Sequence, residues 1–126
     1  EVGNMKPKIG KFEAEAEYFS EENCFVNELY NSAADAAVSI ARIRVLPGEI
    51  TKLHRLHHTT ERYVILAGSG IVEIDELPKR EVQIGDVVSI PPMCRQRITN
   101  SGAGDLIFLA VCSPRFIPQN YEELDY

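Results

Sequence analysis

All three histidines of this chain lie in one short segment that also contains a glutamate. His54, His57 and His58 follow the turn residues Pro47 and Gly48 and precede Glu61. Imidazole and carboxylate groups bind divalent metals such as Zn, Mn, Ni and Fe. The same two groups accept and donate protons near neutral pH. The segment therefore carries a candidate site for metal binding or for proton transfer.

Strand parity predicts which of these side chains share a pocket. Residues two apart on a strand face the same side, so His54 and His58 share a face and His57 faces away. Glu61 and Tyr63 share one face of the next strand. If the two strands form a hairpin, His54 and Glu61 approach each other on its concave face.

The surrounding elements are those of an all-β protein. Segments rich in β-branched residues are separated by Pro, Gly, Asn and Asp, which is typical of short strands joined by turns. One alanine-rich segment, Ala33–Ala37, suggests a helix but is too short to be stable alone. The predicted strands cover residues 38–46, 50–56, 62–66, 71–74, 81–84, 87–90, 95–99 and 106–112. This spacing predicts a sandwich or a barrel.

Two separated motifs resemble those of the cupin superfamily. The residues that match the first motif are Gly48, His54, Glu61 and Gly68. Leu56 stands where that motif has a second histidine. The residues that match the second motif are Gly85, Pro91 and Asn100. Met93 replaces a glycine of that motif, and Gln96 replaces a histidine.

The resemblance covers residues 38–112 and implies a double-stranded β-helix, the jelly-roll barrel of the cupins. It is nearest to small single-domain cupins described as mannose-6-phosphate isomerase-like. We expect one domain over residues 1–126, with its core at about 38–112 and an N-terminal arm and a C-terminal tail packed on it. Small cupins are commonly dimers, so the resemblance also implies a homodimer.

Cupins hold a divalent metal with three histidines and one glutamate, so the resemblance implies a metal site here. Two ligands, His54 and Glu61, match by position, and His58 and Gln96 are the candidates for the other two. The alternative is a degenerate site without metal. In that case His54 is a core histidine, His58 an exposed turn residue and Gln96 a hydrogen-bonding residue of the pocket.

Two further sets of side chains have a functional and a structural interpretation. Glu61 and Tyr63 are the catalytic candidates, although Tyr63 is equally explained by core packing. Arg42 and Arg44 share a strand face and could bind a carboxylate or phosphate. We prefer to place them on an outer, solvated face or an interface.

These residues predict a protein that binds a small molecule, a sugar derivative or a small organic acid. A bound metal would act as a Lewis acid in isomerase or lyase chemistry. Without metal, Glu61 is the candidate base. The alternatives are a non-catalytic sensor or binding barrel, and a metal-dependent dioxygenase.

Composition excludes several classes of partner. The net charge of -6 argues against nucleic acid, whose phosphates require clustered Lys and Arg, and against an anionic membrane surface. No apolar run approaches the length of a membrane span. Three widely spaced cysteines indicate reduced thiols and a cytoplasmic protein. Met5 reads as the native start, with Glu1–Asn4 as a foreign extension.

Overall fold

Two antiparallel sheets face each other in the computed structural model, which describes residues 5–125. The interpretation of Glu1–Asn4 as a foreign extension lies outside the described residues. The first sheet has six strands in the order β1-β2-β3-β10-β5-β8, and the second has five in the order β11-β4-β9-β6-β7. This is the predicted all-β, double-stranded β-helix barrel.

The strands of the six-stranded sheet are β1 (Tyr18–Phe19), β2 (Phe25–Tyr30), β3 (Ser39–Val45), β5 (Thr60–Ala67), β8 (Val87–Ile90) and β10 (Leu106–Ser113). Those of the five-stranded sheet are β4 (His54–Leu56), β6 (Ser69–Ile74), β7 (Arg80–Gln83), β9 (Gln96–Asn100) and β11 (Tyr121–Glu123). Short 3₁₀ turns at Ala14–Ala16 and Pro118–Asn120 are the helical elements of the described residues. The alanine-rich segment Ala33–Ala37 forms turns.

The core lies between the sheets because each strand buries every second side chain. Buried and partly buried residues alternate along the whole of β10 and β9. The inward side chains of both sheets form one cluster, which includes Val45, Ile65, Ile98 and Phe108. Alternation with a period of two is what makes the inward positions predictable from sequence.

Two tight turns depend on glycine. Gly48 and Gly68 both have φ of +80°, a conformation that side chains rarely adopt. A Cβ added at Gly68 would lie 2.5 Å from the carbonyl oxygen of Asp105, so this position also requires close backbone approach. These are two of the glycines that the sequence comparison with the cupin motifs singled out.

The predicted hairpin between the histidine strand and the glutamate strand is wrong. β4 pairs with β9 and β11, whereas β5 pairs with β10 and β8, so the two strands belong to different sheets. His58, at φ of +66°, lies in the turn where the chain crosses between the sheets. The strand predicted over residues 50–56 is also shorter than expected, since β4 begins at His54.

Three strands outside the predicted set complete the sheets. β1 and β2 extend the six-stranded sheet beyond β3, and β11 adds an edge to the five-stranded sheet beside β4. Each is formed by the arm or the tail that flanks residues 38–112. Among residues 5–125 there is no helix long and apolar enough to cross a membrane.

Candidate functional site

A cavity opens between the two sheets and is lined by three of the residues that the sequence singled out, His54, Glu61 and Tyr63. Polar and apolar side chains line it together, as is usual in sites for small molecules. His54 reaches it from the five-stranded sheet, and Glu61 and Tyr63 reach it from β5 of the other sheet. The imidazole and the carboxyl group therefore line the same cavity from strands of different sheets.

The imidazole of His54 is buried and held in one orientation. Its Nδ1 lies 2.8 Å from the carbonyl oxygen of Lys52, and its ring stacks on Tyr121 with centroids 5.1 Å apart. A carbonyl oxygen only accepts, so Nδ1 carries the proton and donates it. The lone pair of the neutral ring is then on Nε2, which lies 3.8 Å from Oε1 of Glu22. His54 is therefore prepared to accept a proton at Nε2.

The carboxyl group of Glu61 has an unusual protonation state. Burial raises its pKa from 4.5 to about 8, the negative charge of Glu22 adds to the rise, and a hydrogen bond from Gln96 opposes it. Its Oε1 is inaccessible to solvent and has no hydrogen-bond partner among the described residues. At neutral pH this carboxyl group holds a proton that it can donate to a ligand in the cavity.

The buried side chain of Gln96 forms a hydrogen bond with Glu61. It is fully buried on β9, opposite His54, and its Oε1 accepts the hydroxyl proton of Tyr63. Burial raises the pKa of Tyr63 well above its ordinary value, with a further contribution from Glu61. Gln96 is thus a buried hydrogen-bonding residue outside the described lining of the cavity, and Tyr63 is fixed by Gln96 and by ring contact with Phe108.

The structure does not bring His58 to the other three members of the predicted metal set. His58 is exposed in the β4–β5 turn and is absent from the described lining of the cavity. His57 faces outward, as expected from its parity, and its Nε2 lies 2.7 Å from Oε1 of Glu122. The positive φ of His58 breaks the strand alternation on which the prediction for this residue depended.

The remaining donors do not fit a metal ion. Leu56 has no donor atom, and Oε1 of Gln96 is engaged by Tyr63. In residues 5–125, no three His, Cys, Asp or Glu side chains are placed so that they could hold a metal. Glu61 also lacks a neighbouring cation that would keep it ionised. Of the predicted set, His54 and Glu61 line the cavity, Gln96 is buried behind it, and His58 lies outside it in the turn.

Two other groups of residues are excluded from the chemistry of the site. Arg44 donates to both carboxylate oxygens of Glu17, at 3.0 and 2.6 Å, and Arg42 lies 3.5 Å from the same group. Both arginines thus lie on the outer face, as preferred. Cys24 and Cys112 line the cavity as free thiols, and burial raises the pKa of Cys24 to about 12, so it is not a nucleophile.

The two residues that contact the ring of His54, Glu22 and Tyr121, come from outside the segment that the sequence motifs cover. Glu22 precedes β2 and faces His54, and Tyr121 in β11 packs on the same ring. The alternation of apolar residues in Phe25–Tyr30 could have revealed β2 and thereby placed its neighbour Glu22 near the sheet. The short tail segment around Tyr121 has no comparable pattern.

Comparison with known proteins supports the same fold. The Cupin_2 family, described as a cupin domain, matches residues 41–112. An uncharacterized protein of Methanocaldococcus jannaschii is 31% identical over 110 residues, which are 86% of this chain and 87% of that protein. The match to the Cupin_2 family, over residues 41–112, coincides closely with residues 38–112, which carry the cupin motifs.

Solved structures match over nearly the whole chain at low identity. The nucleoside dehydratase Pac13 of Streptomyces superposes with a TM-score of 0.76 and 15% identity, over 94% of this chain and 93% of that one. A conserved protein with a double-stranded β-helix domain from Klebsiella pneumoniae gives a TM-score of 0.73 and 15% identity, over 89% and 93%. At this identity the likeness concerns the fold.

Proposed function

Because this chain belongs to the cupin family, we propose that it is a lyase that removes water from a sugar-like small molecule without a metal ion. One observation carries the proposal: the cavity pairs a carboxyl group whose pKa is raised to about 8 with an imidazole whose Nδ1 donates to Lys52, so that Nε2 is the nitrogen available for proton transfer. An acid and a base facing one ligand are the requirement for an elimination.

The reaction divides between the two groups. Nε2 of His54 takes the proton from a carbon of the substrate, and the electron pair of that C–H bond forms a double bond to the neighbouring carbon. The hydroxyl group on the neighbouring carbon leaves with the proton of Glu61, so that water is released. The imidazolium formed is stabilised by Glu22, 3.8 Å away. Transfer of the proton from His54 back to Glu61 through water restores the starting state.

The rest of the cavity suits a ligand with hydroxyl groups on an apolar frame. Ser20, Ser39 and Thr51 provide hydroxyl groups, whereas Ile43 and Phe108 provide apolar surface. Similarity of fold to a protein named as a nucleoside dehydratase supports a dehydration of this kind. An isomerase of the mannose-6-phosphate type would use the same acid and base, and it remains the second interpretation of the pair.

The test is a panel of nucleosides and reducing sugars incubated with the wild type, followed by mass spectrometry for loss of one water. We expect turnover by the wild type and a decrease of about 10²- to 10⁴-fold in Glu61→Gln and in His54→Gln. Glu81→Gln, which removes an exposed carboxylate on β7, is the matched control and should retain full activity. Binding of panel members without any turnover would overturn the lyase proposal in favour of the binding barrel.

Metal independence has its own measurement. Elemental analysis of protein purified without chelators should find no stoichiometric Zn, Mn, Ni or Fe, and dialysis against a chelator should leave turnover unchanged. A metal that is bound stoichiometrically and lost in His54→Gln would contradict this part of the proposal.

The proposal also includes a cytoplasmic location, which is supported by the three free thiols.

A further inference from the structure

The cavity is strongly asymmetric in charge. Three carboxyl groups line it, those of Glu22, Glu28 and Glu61, together with the imidazole of His54. No Lys or Arg is among the described residues that line it. An anionic ligand would therefore enter a space with three carboxyl groups on its walls and no Lys or Arg to receive it.

Arginine elsewhere in the protein is paired with acidic residues outside the cavity. Arg44 pairs with Glu17 and Asp105, and Arg55 pairs with Glu122. Arg95 and Arg97 form ion pairs of the same kind with the acidic residues Asp75, Glu76 and Glu73. None of the arginine ion pairs in residues 5–125 includes a carboxyl group of the cavity. The positive charge that would balance the cavity is thus not supplied by these arginines.

Carboxyl groups that are removed from water without a cation are costly for the protein. Burial raises the pKa values of Glu22 and Glu28. At Glu22 the imidazole of His54, 3.8 Å away, opposes the rise and the charge of Glu28 adds to it, and Glu22 in turn raises the pKa of Glu61. The buried Oε1 of Glu61, which has no partner, is a second and independent sign of a missing ligand group. A bound cation would relieve the repulsion between the carboxyl groups, and a hydroxyl group of the same ligand would give Glu61 a hydrogen-bond partner.

The mouth of the cavity has the composition that suits an ammonium group. Two aromatic side chains, Tyr18 and Phe116, line the cavity together with Glu28. Tyr18 is half-exposed, and Glu28 is exposed, so both are open to a ligand arriving from solvent. Aromatic faces and a carboxylate are the usual surroundings of a bound amine.

We propose that the ligand of this cavity carries a positive charge, and specifically that it is a sugar-like molecule with an aliphatic amino group. The amine binds at Glu28 and Glu22, and the hydroxyl-bearing part extends to His54 and Glu61. This inference rests on the proposed function for the position of the reacting end. It excludes the small organic acids and sugar phosphates that the sequence left open.

Three probes of similar size and different charge test the inference: D-glucosamine, D-glucose and D-glucuronate, titrated calorimetrically at pH 7 and low salt. We expect D-glucosamine to bind at least about tenfold more tightly than D-glucose, and D-glucuronate to bind most weakly of the three. Glu28→Gln and Glu22→Gln should each reduce the preference for the amine. Glu21→Gln removes an exposed carboxylate next to the cavity residue and should preserve the preference.

Equal binding of the three probes, a preference for the uronate, or no binding of any of them would overturn the inference. The result is independent of catalysis, because binding is measured without turnover. A preference for the amine together with the absence of any water loss would leave the charge inference intact and remove the lyase proposal. Water loss from a neutral sugar with no preference for the amine would support the lyase proposal and overturn the charge inference.

Discussion

At the scale of single residues, burial rather than residue type decides the chemistry of this site. Glu61 and Glu81 have the same side chain, but Glu81 is exposed, whereas Glu61 is buried, and desolvation and the charge of Glu22 raise its pKa to about 8. The carboxyl group that the sequence suggested as a metal ligand or a base is therefore an acid at neutral pH. His54 takes the complementary role because Lys52 fixes its tautomer.

The raised pKa of Glu61 predicts a specific pH dependence of stability. Between pH 4.5 and about 8 the folded protein retains a proton that the unfolded chain has lost, so the free energy of unfolding falls as the pH rises through this window. In Glu61→Gln the contribution of Glu61 to this decrease is absent. The difference in the free energy of unfolding between the variant and the wild type therefore changes by up to about 1.4 kcal/mol per pH unit. Urea unfolding at half-unit intervals measures it.

Glu81→Gln is the control, and its stability should follow that of the wild type at every pH. Curves for Glu61→Gln and wild type that run parallel from pH 5 to 8 would show that Glu61 has an ordinary pKa. The acid role of Glu61 in the proposed reaction would then be lost as well.

The buried hydroxyl group of Tyr63 makes one hydrogen bond, to Gln96. Tyr63→Phe removes the donor to Gln96 and leaves a buried amide oxygen without a hydrogen bond. We expect a loss of about 1 to 3 kcal/mol in the free energy of unfolding, measured with urea. Tyr30→Phe removes a hydroxyl group that bonds Asp35 near the surface, at 2.7 Å, and should cost less. Equal losses in the two variants would contradict the network at Glu61.

At the scale of elements, the short terminal strand β11 holds the histidine strand in place. Tyr121 pairs with Leu56 across the two strands and stacks on His54, and Glu122 contacts Arg55 and His57. An edge strand of three residues thus orients the base of the site, although none of its own side chains was a candidate from sequence. The tail is a positioning element for His54.

Two substitutions at Tyr121 distinguish the role of its ring from the role of its hydroxyl group. The hydroxyl is buried and has no partner among the described residues, so Tyr121→Phe should keep or raise stability and keep turnover. Tyr121→Ala removes the stacked ring, and we expect a lower kcat and a changed chemical shift of the His54 ring in NMR spectra. Equal behaviour of the two variants would show that the stacking does not position His54.

At the scale of the whole molecule, the N-terminal segment before β2 presents apolar surface to solvent. The segment 5–16 is exposed along its length, including Ile9 and Phe12, and it leads into the edge strand β1 with exposed Tyr18 and Phe19. Exposed apolar side chains beside an open sheet edge are typical of a surface that associates. The homodimer expected from sequence remains a prediction, and this surface is its most direct support.

Light scattering during gel filtration tests the homodimer. We expect about twice the chain mass of 14.1 kDa for the whole chain. Removal of residues 1–12 should shift the mass to that of one chain with little loss of thermal stability, because the removed segment is exposed. Phe19→Ser should weaken the dimer in the same way, whereas Leu77→Ser, at an exposed apolar residue in a distant turn, should not. A whole chain that stays monomeric at high concentration would end the prediction.

The sequence by itself determined the barrel and its inward residues. Period-two alternation and turn glycines are local signals, so eight strands and the inward positions of His54, Glu61, Tyr63 and Gln96 could be predicted from them. Tertiary structure alone decided that β4 and β5 belong to opposite sheets, that His58 stays outside, and that Glu22 and Tyr121 complete the site. These outcomes depend on contacts between residues far apart in the chain. Desolvation and charge act through space, and no local pattern in the sequence contains them.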